Sequence, residues 1–442
     1  MTGARGLTGP FRRWLDEPLL RNGYALVLNV GLTTLLGVAF WVVAARLYRT
    51  EDVGLGSALV SALLLISSFG QLGIGLGLPR YLPVAGARAG GMLARAYLVT
   101  GLVAAVAGLA FAFLAPGLSP EFAFLGRSPW FVPAFCGAAV VWTVFALQDS
   151  AIIGLRRSVW IPLENSAYGV LKLALIVPFA LVLPQLGVFA GWVLAAAVVS
   201  IPVNIALFRR WAPAQVRVGV AEGTGVSGLW EMRRFLAFNY GGQVCYIAST
   251  TVLPLIVAAQ LGATENGYFY IVWTTATSAD LVSINLAQAL TVESAVDSRR
   301  LAEHLRRVVP QVLALQGAAA LVVLVFAHLL LSIYGPAYAD HAAMCMRLVM
   351  ISLLPRAVIV LSIAVARVRN RLGHILVVQA VCTAGTLGLA IVVARPWGLT
   401  GVALAWLVTQ SVVAAVLLPG LFRSMRLPRR RGLRSGPQSD VV

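Results

Sequence analysis

Apolar residues form long uninterrupted runs along this chain, and short polar gaps separate the runs. A helix needs about 20 predominantly apolar residues to cross the hydrocarbon core of a bilayer. The pattern therefore predicts an all-α, polytopic membrane protein with twelve transmembrane helices. The predicted spans cover residues 24–45, 54–78, 92–115, 130–153, 160–183, 186–208, 235–260, 266–291, 308–333, 341–366, 374–394 and 398–422.

Most of the basic residues lie in the gaps on one side of the predicted membrane. Twenty-seven of the 34 Lys and Arg residues fall on that side, four fall on the other side and three lie inside spans. Cytoplasmic loops are enriched in Lys and Arg, so the richer side is predicted to be cytoplasmic. This assignment puts Arg156 and Arg157 in a cytoplasmic hairpin. It also predicts that both termini lie inside the cell. The richness in Ala, Val, Leu and Gly, with Lys172 as the single lysine, is typical of a GC-rich bacterial genome, so the expected location is the bacterial cytoplasmic membrane.

The gaps are too short to fold as separate soluble domains, since the longest covers residues 209–234. We therefore expect two helical bundles and little else. The predicted organisation is a cytoplasmic N-terminal segment (1–23), a six-helix bundle (24–208), a cytoplasmic linker (209–234), a second six-helix bundle (235–422) and a basic cytoplasmic tail (423–442).

The composition agrees with a membrane protein. Of the 442 residues, 60% are hydrophobic and 11% are charged, whereas soluble domains carry about 25% charged residues. The net charge is +18, but the basic residues that produce it lie in short gaps between apolar runs and not on a folded soluble face. This placement argues against a nucleic-acid partner. The four cysteines lie far apart inside apolar runs, so neither a disulfide framework nor a metal site is predicted.

The two halves of the chain carry a weak internal repeat. Six spans form each half, and six is an even number, so both halves have the same orientation in the membrane. Parallel repeats of this kind are an architecture of transporters. The matching residues, each 214 positions apart, are Leu47 with Leu261, Thr50 with Thr264, and Glu51 with Glu265.

Four segments resemble motifs of a known family. The segment NGY at 22–24 opens the first apolar run, and ARLYRTEDVGLGSA at 45–58 joins it to the second. LPRYLP at 78–83 ends span 2, and GLRRSVWIPLEN at 154–165 joins spans 4 and 5. In these motifs, and in topology over residues 20–425, the chain resembles bacterial polysaccharide-export flippases of the multidrug/oligosaccharidyl-lipid/polysaccharide superfamily.

The resemblance implies a fold, an activity and partners. The fold is a MATE-like pair of pseudo-symmetric six-helix bundles around a central cavity, which rock to give alternating access. The implied activity is transfer of a polyprenyl-diphosphate-linked oligosaccharide from the cytoplasmic to the outer leaflet for cell-surface polysaccharide biosynthesis. The expected partners are membrane lipids, a polysaccharide polymerase and glycosyltransferases. No enzymatic activity and no cofactor is expected, apart from H⁺ or Na⁺ coupling.

Charged residues inside spans are the candidate functional residues, since each costs about 2.5–3.5 kcal/mol on insertion scales. The diphosphate of a lipid carrier has to meet cations inside the membrane. Lys172, about 12 residues into span 5, and Arg356, which follows Pro355 in span 10, are the first candidates for phosphate contact. Arg347 is a third. The alternatives are that Lys172 reaches the surface or pairs with Asp280, and that Arg347 reaches the headgroups.

Four further residues complete the predicted site. Asp280, central in span 8, is the candidate for binding a coupling ion; a salt bridge with a basic residue of another span is the alternative. Arg80 is predicted to receive the diphosphate at the cytoplasmic mouth, although ordinary positive-inside anchoring also explains it. Asn29 and Asn239 occupy similar depths in the first span of each half. They are predicted either to line the cavity or to hydrogen-bond between helices.

Asp149 and Glu164 flank Arg156 and Arg157 across the hairpin between spans 4 and 5. The sequence predicts local ion pairs that hold this hairpin together. A proton or cation site is the alternative.

Three other functions remain possible from the sequence. A cation-coupled multidrug exporter of the same superfamily would favour carboxylates in its cavity, whereas three basic and three acidic residues lie in the spans here. A lipid II flippase usually has additional spans. A membrane-embedded glycosyltransferase or ligase needs a large outer loop or paired carboxylates at the membrane face, and the longest outer gap, 116–129, contains Glu121 alone.

Overall fold

The structure, a computed structural model, describes residues 18–118, 120–126, 129–214, 229–296 and 301–425. These residues form helices joined by short turns, and no β-strand occurs among them. The main helices are α1 (Pro18–Leu47), α2 (Thr50–Gly70), α3 (Ile74–Tyr81), α4 (Ala89–Leu118), α5 (Phe131–Gly154), α6 (Ile161–Val182), α7 (Gly187–Ala206), α8 (Leu229–Leu261), α9 (Ala263–Val296), α10 (Leu301–Ser332), α11 (Pro336–Ile351), α12 (Leu353–Val368) and α13 (Leu372–Met425).

Within the described residues, nine helical segments are long and apolar enough to cross a membrane. They confirm the predicted class, an all-α, multi-pass membrane protein. Each predicted span overlaps helical residues. Three predicted spans are not counted separately among the nine. The spans predicted over 24–45 and 266–291 lie in α1 and α9, which are not among the nine. The spans predicted over 374–394 and 398–422 both lie in α13, which is counted once. Twelve crossings as a number stays a prediction.

Three helix breaks depart from the predicted boundaries. The span predicted over 54–78 divides into α2 and α3, because Leu72 and Gly73 have φ values of 49° and 75°. The span predicted over 341–366 divides at Ser352 into α11 and α12. The 54 residues of α13 would extend about 80 Å as one straight helix, too long for a single crossing. Gly398 (φ 57°, ψ −146°) breaks it.

Most helix contacts form within two groups, α1–α7 and α8–α13. In the first group α1 packs on α6, α4 on α5, and α6 on α7; in the second, α8 packs on α13, α10 on α11, and α9 on α12. We call these groups the N-terminal and C-terminal lobes. Helical structure extends past the predicted span ends on both sides of the linker. The π-helical turn Leu207–Trp211 and Ala212–Ala214 continue α7, and α8 begins at Leu229.

The lobes meet mainly where α2 contacts α8 and α9. A Cβ atom on Gly54 would overlap the Ala263 carbonyl oxygen, and one on Gly267 would overlap the Thr50 carbonyl oxygen. Thr50 and Gly54 in the first half correspond, 213 residues later, to Ala263 and Gly267 in the second half. The two contacts are therefore equivalent, with the roles of the two halves exchanged. Such reciprocity is the property of a two-fold axis, here a pseudo-symmetric one between the two halves of a single chain.

Side-chain hydrogen bonds reinforce this crossing. The Asn266 amide donates to the Gly54 carbonyl oxygen at 2.8 Å and to Ser57 Oγ at 3.1 Å, in a fully buried setting. Arg46, at the end of α1, donates to the carbonyl oxygens of Ser332 and Ile333 at the end of α10. These bonds hold the lobes together at the end of the bundle where α1 joins α2 and α8 joins α9.

Candidate functional site

Lys172 lies in an aromatic cage inside the N-terminal lobe. Its side chain projects from α6 and the residue is only 5% exposed. Lys172 Nζ lies 4.0 Å from the ring centre of Trp192 and 4.9 Å from those of Phe40 and Tyr168. An ammonium group over an aromatic face is stabilised by the ring quadrupole, by about 2 kcal/mol where water is excluded. No carboxylate among the described residues forms an ion pair with it.

The cage adjoins the boundary between the lobes. Trp41 of α1 contacts both Phe40 and Trp192, and its ring centre lies 4.7 Å from that of Tyr270 on α9. These aromatic residues belong to an apolar core that continues from the N-terminal lobe into the C-terminal lobe. Separation of the lobes at this point would therefore loosen two walls of the Lys172 cage.

Arg356 lies in the C-terminal lobe, where it is 3% exposed. Arg356 Nε donates to Asp280 Oδ2 at 3.2 Å, and its guanidinium carbon lies 4.7 Å from the ring centre of Tyr246. The structure thus realises the salt-bridge alternative for Asp280, with Arg356 and not Lys172 as its partner. Asp280 Oδ1 is buried and has no hydrogen-bond partner among the described residues.

A small cavity lies against this ion pair. Its walls are aromatic and polar together, and they come from α8, α9, α11, α12 and α13. Because a guanidinium already occupies the neighbourhood of Asp280, a metal cation there would meet an adjacent positive charge. The lining residues are Tyr246, Thr250, Trp273, Ala276, Thr277, Asp280, Val349, Leu353, Arg356 and Trp406.

Lys172 and Arg356 occupy separate lobes, so the structure does not bring the two predicted phosphate ligands into one pocket. Arg347 lies in α11 and does not line the cavity beside Arg356. Its Nε donates to the Leu324 carbonyl oxygen at 3.2 Å, two residues before Phe326, where non-helical φ and ψ kink α10. Arg347 therefore contacts backbone beside a kink in this conformation.

The remaining predicted residues are only partly described. Asn29 lies in α1, and its side-chain oxygen is buried with no hydrogen-bond partner among the described residues. The side chains of Arg80 and Asn239 lie outside the described part of the structure, although their backbones belong to α3 and α8. The predicted roles of these three residues stay predictions.

The predicted ion pairs across the hairpin between α5 and α6 are wrong. Arg156 and Arg157 are exposed, whereas Glu164 is buried and neither of its carboxylate oxygens has a hydrogen-bond partner in the described part of the chain. Asp149 instead accepts from the Asn165 amide at 3.4 and 3.5 Å. The arginines turn outwards because the helix ends at Gly154 and Arg156 adopts a φ of 58°.

One pattern of buried candidate residues on α6 was not predicted from the sequence. Glu164, Tyr168 and Lys172 follow each other at intervals of four residues, which places them on one face of a helix. All three are buried in the N-terminal lobe, at 4%, 7% and 5% exposure. The sequence shows this spacing, but the position of Glu164 close to Arg156 and Arg157 favoured ion pairs in the hairpin instead.

Comparison with solved structures identifies the fold. A multidrug-resistance MATE family transporter of the MOP superfamily, in an inward-facing conformation, superposes with a TM-score of 0.68 at 15% identity. The match covers 91% of this chain and 98% of that one. The chain has the MATE-type fold. An outward-facing structure of a MATE family transporter superposes with a TM-score of 0.59 at 15% identity, covering 97% and 99% of the two chains.

A lipid flippase shares the same fold. The lipid II flippase MurJ, in an inward closed conformation, superposes with a TM-score of 0.68 at 9% identity, covering 92% of this chain and 89% of that one. No protein-family profile matches the chain, and no curated protein matches it in sequence. The MATE-like architecture predicted from sequence is confirmed.

Proposed function

We propose that this protein is a flippase that moves a polyprenyl-diphosphate-linked oligosaccharide from the cytoplasmic to the outer leaflet by alternating access. The proposal assigns it to cell-surface polysaccharide biosynthesis in the bacterial cytoplasmic membrane, beside a polymerase and glycosyltransferases. The sequence motifs at 45–58, 78–83 and 154–165 support it, as does a fold shared with drug and lipid transporters.

The observation that carries the proposal is the buried Lys172. An ammonium group without a carboxylate partner is expensive inside a membrane protein, and aromatic rings compensate only part of that cost. A phosphate is the ligand that would complete its coordination, because charge-assisted hydrogen bonds between ammonium and phosphate groups are short and strong. Arg356 differs, since Asp280 already neutralises it.

Access to Lys172 requires the cage to open. Phe40 and Trp192 cover the ammonium group, and Trp41 connects this cage to Tyr270 of the other lobe. In the proposed cycle, the lobes separate next to α1, and the lipid diphosphate displaces the rings from Lys172. The saccharide then occupies the space between the lobes while the polyprenyl chain stays in the lipid.

A cation-coupled multidrug exporter is the competing function, since multidrug transporters share the fold. The observation that favours it is Glu164, which is buried and has no cationic partner among the residues that the structure describes. The two functions differ in the charge of the substrate. A flippase for a diphosphate needs Lys172, whereas removal of a buried cation should leave export of cationic drugs intact or improve it.

Deletion of the gene followed by mass spectrometry of membrane lipids tests the function. We expect a polyprenyl-diphosphate-linked saccharide to accumulate, and the wild-type chain to clear it. Lys172→Met should fail to clear it although the protein reaches the membrane in normal amounts. The matched control is Arg371→Met, which removes an exposed arginine immediately before α13.

Two results would contradict the proposal. One is a normal lipid profile in the deletion strain together with increased sensitivity to cationic drugs. The other is full clearance by Lys172→Met, which would remove the lysine from the mechanism.

A further inference from the structure

We propose that α6 and α7 form a binding subsite for the sugar residue that follows the diphosphate of the lipid carrier. The subsite consists of Glu164, Tyr168 and Trp192, and it adjoins Lys172. The inference rests on the proposed function and extends it. It describes how the same site distinguishes a glycosylated lipid from the bare lipid diphosphate.

Each of the three side chains carries a buried polar atom that has no hydrogen-bond partner among the described residues. The atoms are Tyr168 Oη, Trp192 Nε1 and both carboxyl oxygens of Glu164. Buried polar groups of folded proteins are almost always hydrogen-bonded, because an unpaired group loses its bonds to water without replacement. Several such atoms in one part of a lobe indicate a ligand that supplies their partners.

These polar groups lie close to one another and to Lys172. The ring centres of Tyr168 and Trp192 are 6.0 Å apart, and Lys172 Nζ lies 4.9 and 4.0 Å from these two centres. Glu164 precedes Tyr168 by four residues, as Tyr168 precedes Lys172, so all three share one face of α6. The face extends about 12 Å along the helix axis from Glu164 to Lys172.

The order of the groups along this face matches the order of groups in a glycosylated lipid diphosphate. A phosphate suits Lys172, but an ionised Glu164 would repel it. A sugar hydroxyl both donates and accepts hydrogen bonds, so a sugar provides donors for Glu164 and acceptors for Tyr168 and Trp192. The diphosphate therefore fits at Lys172, and the sugar that follows it fits towards Glu164.

Aromatic rings next to the subsite suit the apolar side of a sugar. The C–H groups on the face of a sugar ring carry a partial positive charge, and the face of an aromatic ring is negative. The ring centre of Trp142 on α5 lies 5.6 Å from that of Trp192 and 5.9 Å from that of Tyr168, and the ring centre of Phe145 lies 4.8 Å from that of Tyr168. When the cage opens, contacts between a ring and the sugar replace contacts between rings.

A cationic drug would use the same aromatic rings and Glu164, but it fits the other groups less well. The ammonium group of Lys172 would repel it. The unpaired N–H of Trp192 and O–H of Tyr168 require an acceptor, which a sugar offers through its ring and hydroxyl oxygens. These groups together favour an oxygen-rich, uncharged part of the ligand beside its phosphate.

The subsite is tested by isothermal titration calorimetry on the full chain in detergent. The probes are farnesyl diphosphate and three farnesyl diphosphates that each carry one sugar, namely glucose, galactose or N-acetylglucosamine. At least one glycosylated probe should bind about tenfold more tightly than farnesyl diphosphate, because the sugar adds hydrogen bonds. Lys172→Met should weaken the binding of both kinds of probe.

Two conservative variants separate the contribution of the sugar from that of the phosphate. Tyr168→Phe and Trp192→Phe each keep an aromatic ring and remove one donor. Each should weaken the glycosylated probe about threefold to tenfold and change the affinity for farnesyl diphosphate by less than about twofold. The matched control is Tyr48→Phe, since the Tyr48 hydroxyl already donates to the Ile176 carbonyl oxygen at 2.8 Å. The control should leave the ratio of the two affinities unchanged.

The variant Glu164→Leu distinguishes a sugar subsite from a site for phosphate alone. It removes both acceptor oxygens, so the glycosylated probe should lose affinity. Farnesyl diphosphate should bind equally well or more tightly, because a nearby acidic group is gone.

The possible failures of the subsite and of the proposed function are distinguishable. Equal affinity for bare and glycosylated probes, or equal losses for both probes in Tyr168→Phe and Trp192→Phe, would overturn the sugar subsite. Binding of farnesyl diphosphate that depends on Lys172 would then still support the proposed function. Absence of binding by every diphosphate probe would overturn the proposed function and the subsite together.

Discussion

The interpretation of Arg356 and Asp280 as separate functional candidates changes once their contact with each other is known. Each alone is a charged residue inside a span and so a functional candidate. Together, at 3.2 Å and almost fully buried, they form one neutral unit beside a small cavity. Lys172 and Glu164 have no such partner among the described residues. The unpaired residues, and not the paired ones, are therefore the stronger candidates for binding a substrate.

The Arg356–Asp280 pair is predicted to act as a structural unit in stability measurements. Arg356→Met leaves a buried carboxylate without its partner, which should lower the free energy of unfolding by about 3–5 kcal/mol. Asp280→Asn should cost a similar amount. The double variant should recover a large part of the loss, because both charges are then gone. Thermal unfolding of the four proteins in detergent measures this, and additive losses in the double variant would contradict it.

At the scale of elements, the long apolar runs predicted the helices because backbone groups inside a bilayer must be hydrogen-bonded internally. The periodicity could also have revealed the buried face of α6 through Glu164, Tyr168 and Lys172. The sequence could not reveal the Arg356–Asp280 pair, since 76 residues separate the partners. It also could not distinguish the exposed arginines of the α5–α6 hairpin from paired ones, because local spacing permitted both.

The crossing of α2 and α9 is the element contact that depends most directly on glycine. A methyl group at Gly54 or Gly267 would overlap a carbonyl oxygen of the opposite helix. We expect Gly54→Ala and Gly267→Ala to separate the lobes at this end, and a cysteine introduced at the buried Ala58 to react faster with a maleimide. Transport should fall by a factor of about ten or more, because the lobes can no longer close at this end during the transport cycle.

The control for this crossing is Gly90→Ala in α4, where an added methyl group meets no atom within 4 Å. Substitution there should leave both cysteine reactivity and transport near wild-type values. Unchanged reactivity at Ala58→Cys in the Gly54 and Gly267 variants would show that the crossing of α2 and α9 does not keep the lobes closed at this end.

On the scale of the whole molecule, the two halves are related both in sequence and in space. The matches 214 residues apart predicted a parallel repeat, and the reciprocal contacts of Thr50 with Gly267 and of Gly54 with Ala263 are what a pseudo-two-fold axis between the lobes produces. The lobes nevertheless contain different chemistry. Among the described residues, Lys172 and Glu164 of the N-terminal lobe have no ion-pair partner, whereas the C-terminal lobe holds the neutral Arg356–Asp280 pair. We infer that phosphate binding belongs to the N-terminal lobe.

The direction of transport depends on the orientation of the protein in the membrane, which the distribution of arginines predicts. With 27 basic residues on one side and four on the other, the positive-inside rule places the Arg156–Arg157 hairpin in the cytoplasm and the turn at 183–186 outside. Single cysteines at Val159, which is exposed next to the hairpin, and at Gln185 in the turn measure this in intact cells. A membrane-impermeant thiol reagent should label Gln185→Cys and leave Val159→Cys unlabelled until the cells are opened. Glu164, in the first turn of α6, would then lie towards the cytoplasmic side of the N-terminal lobe. The opposite labelling pattern would reverse the direction of the cycle and exclude transfer from the cytoplasmic leaflet.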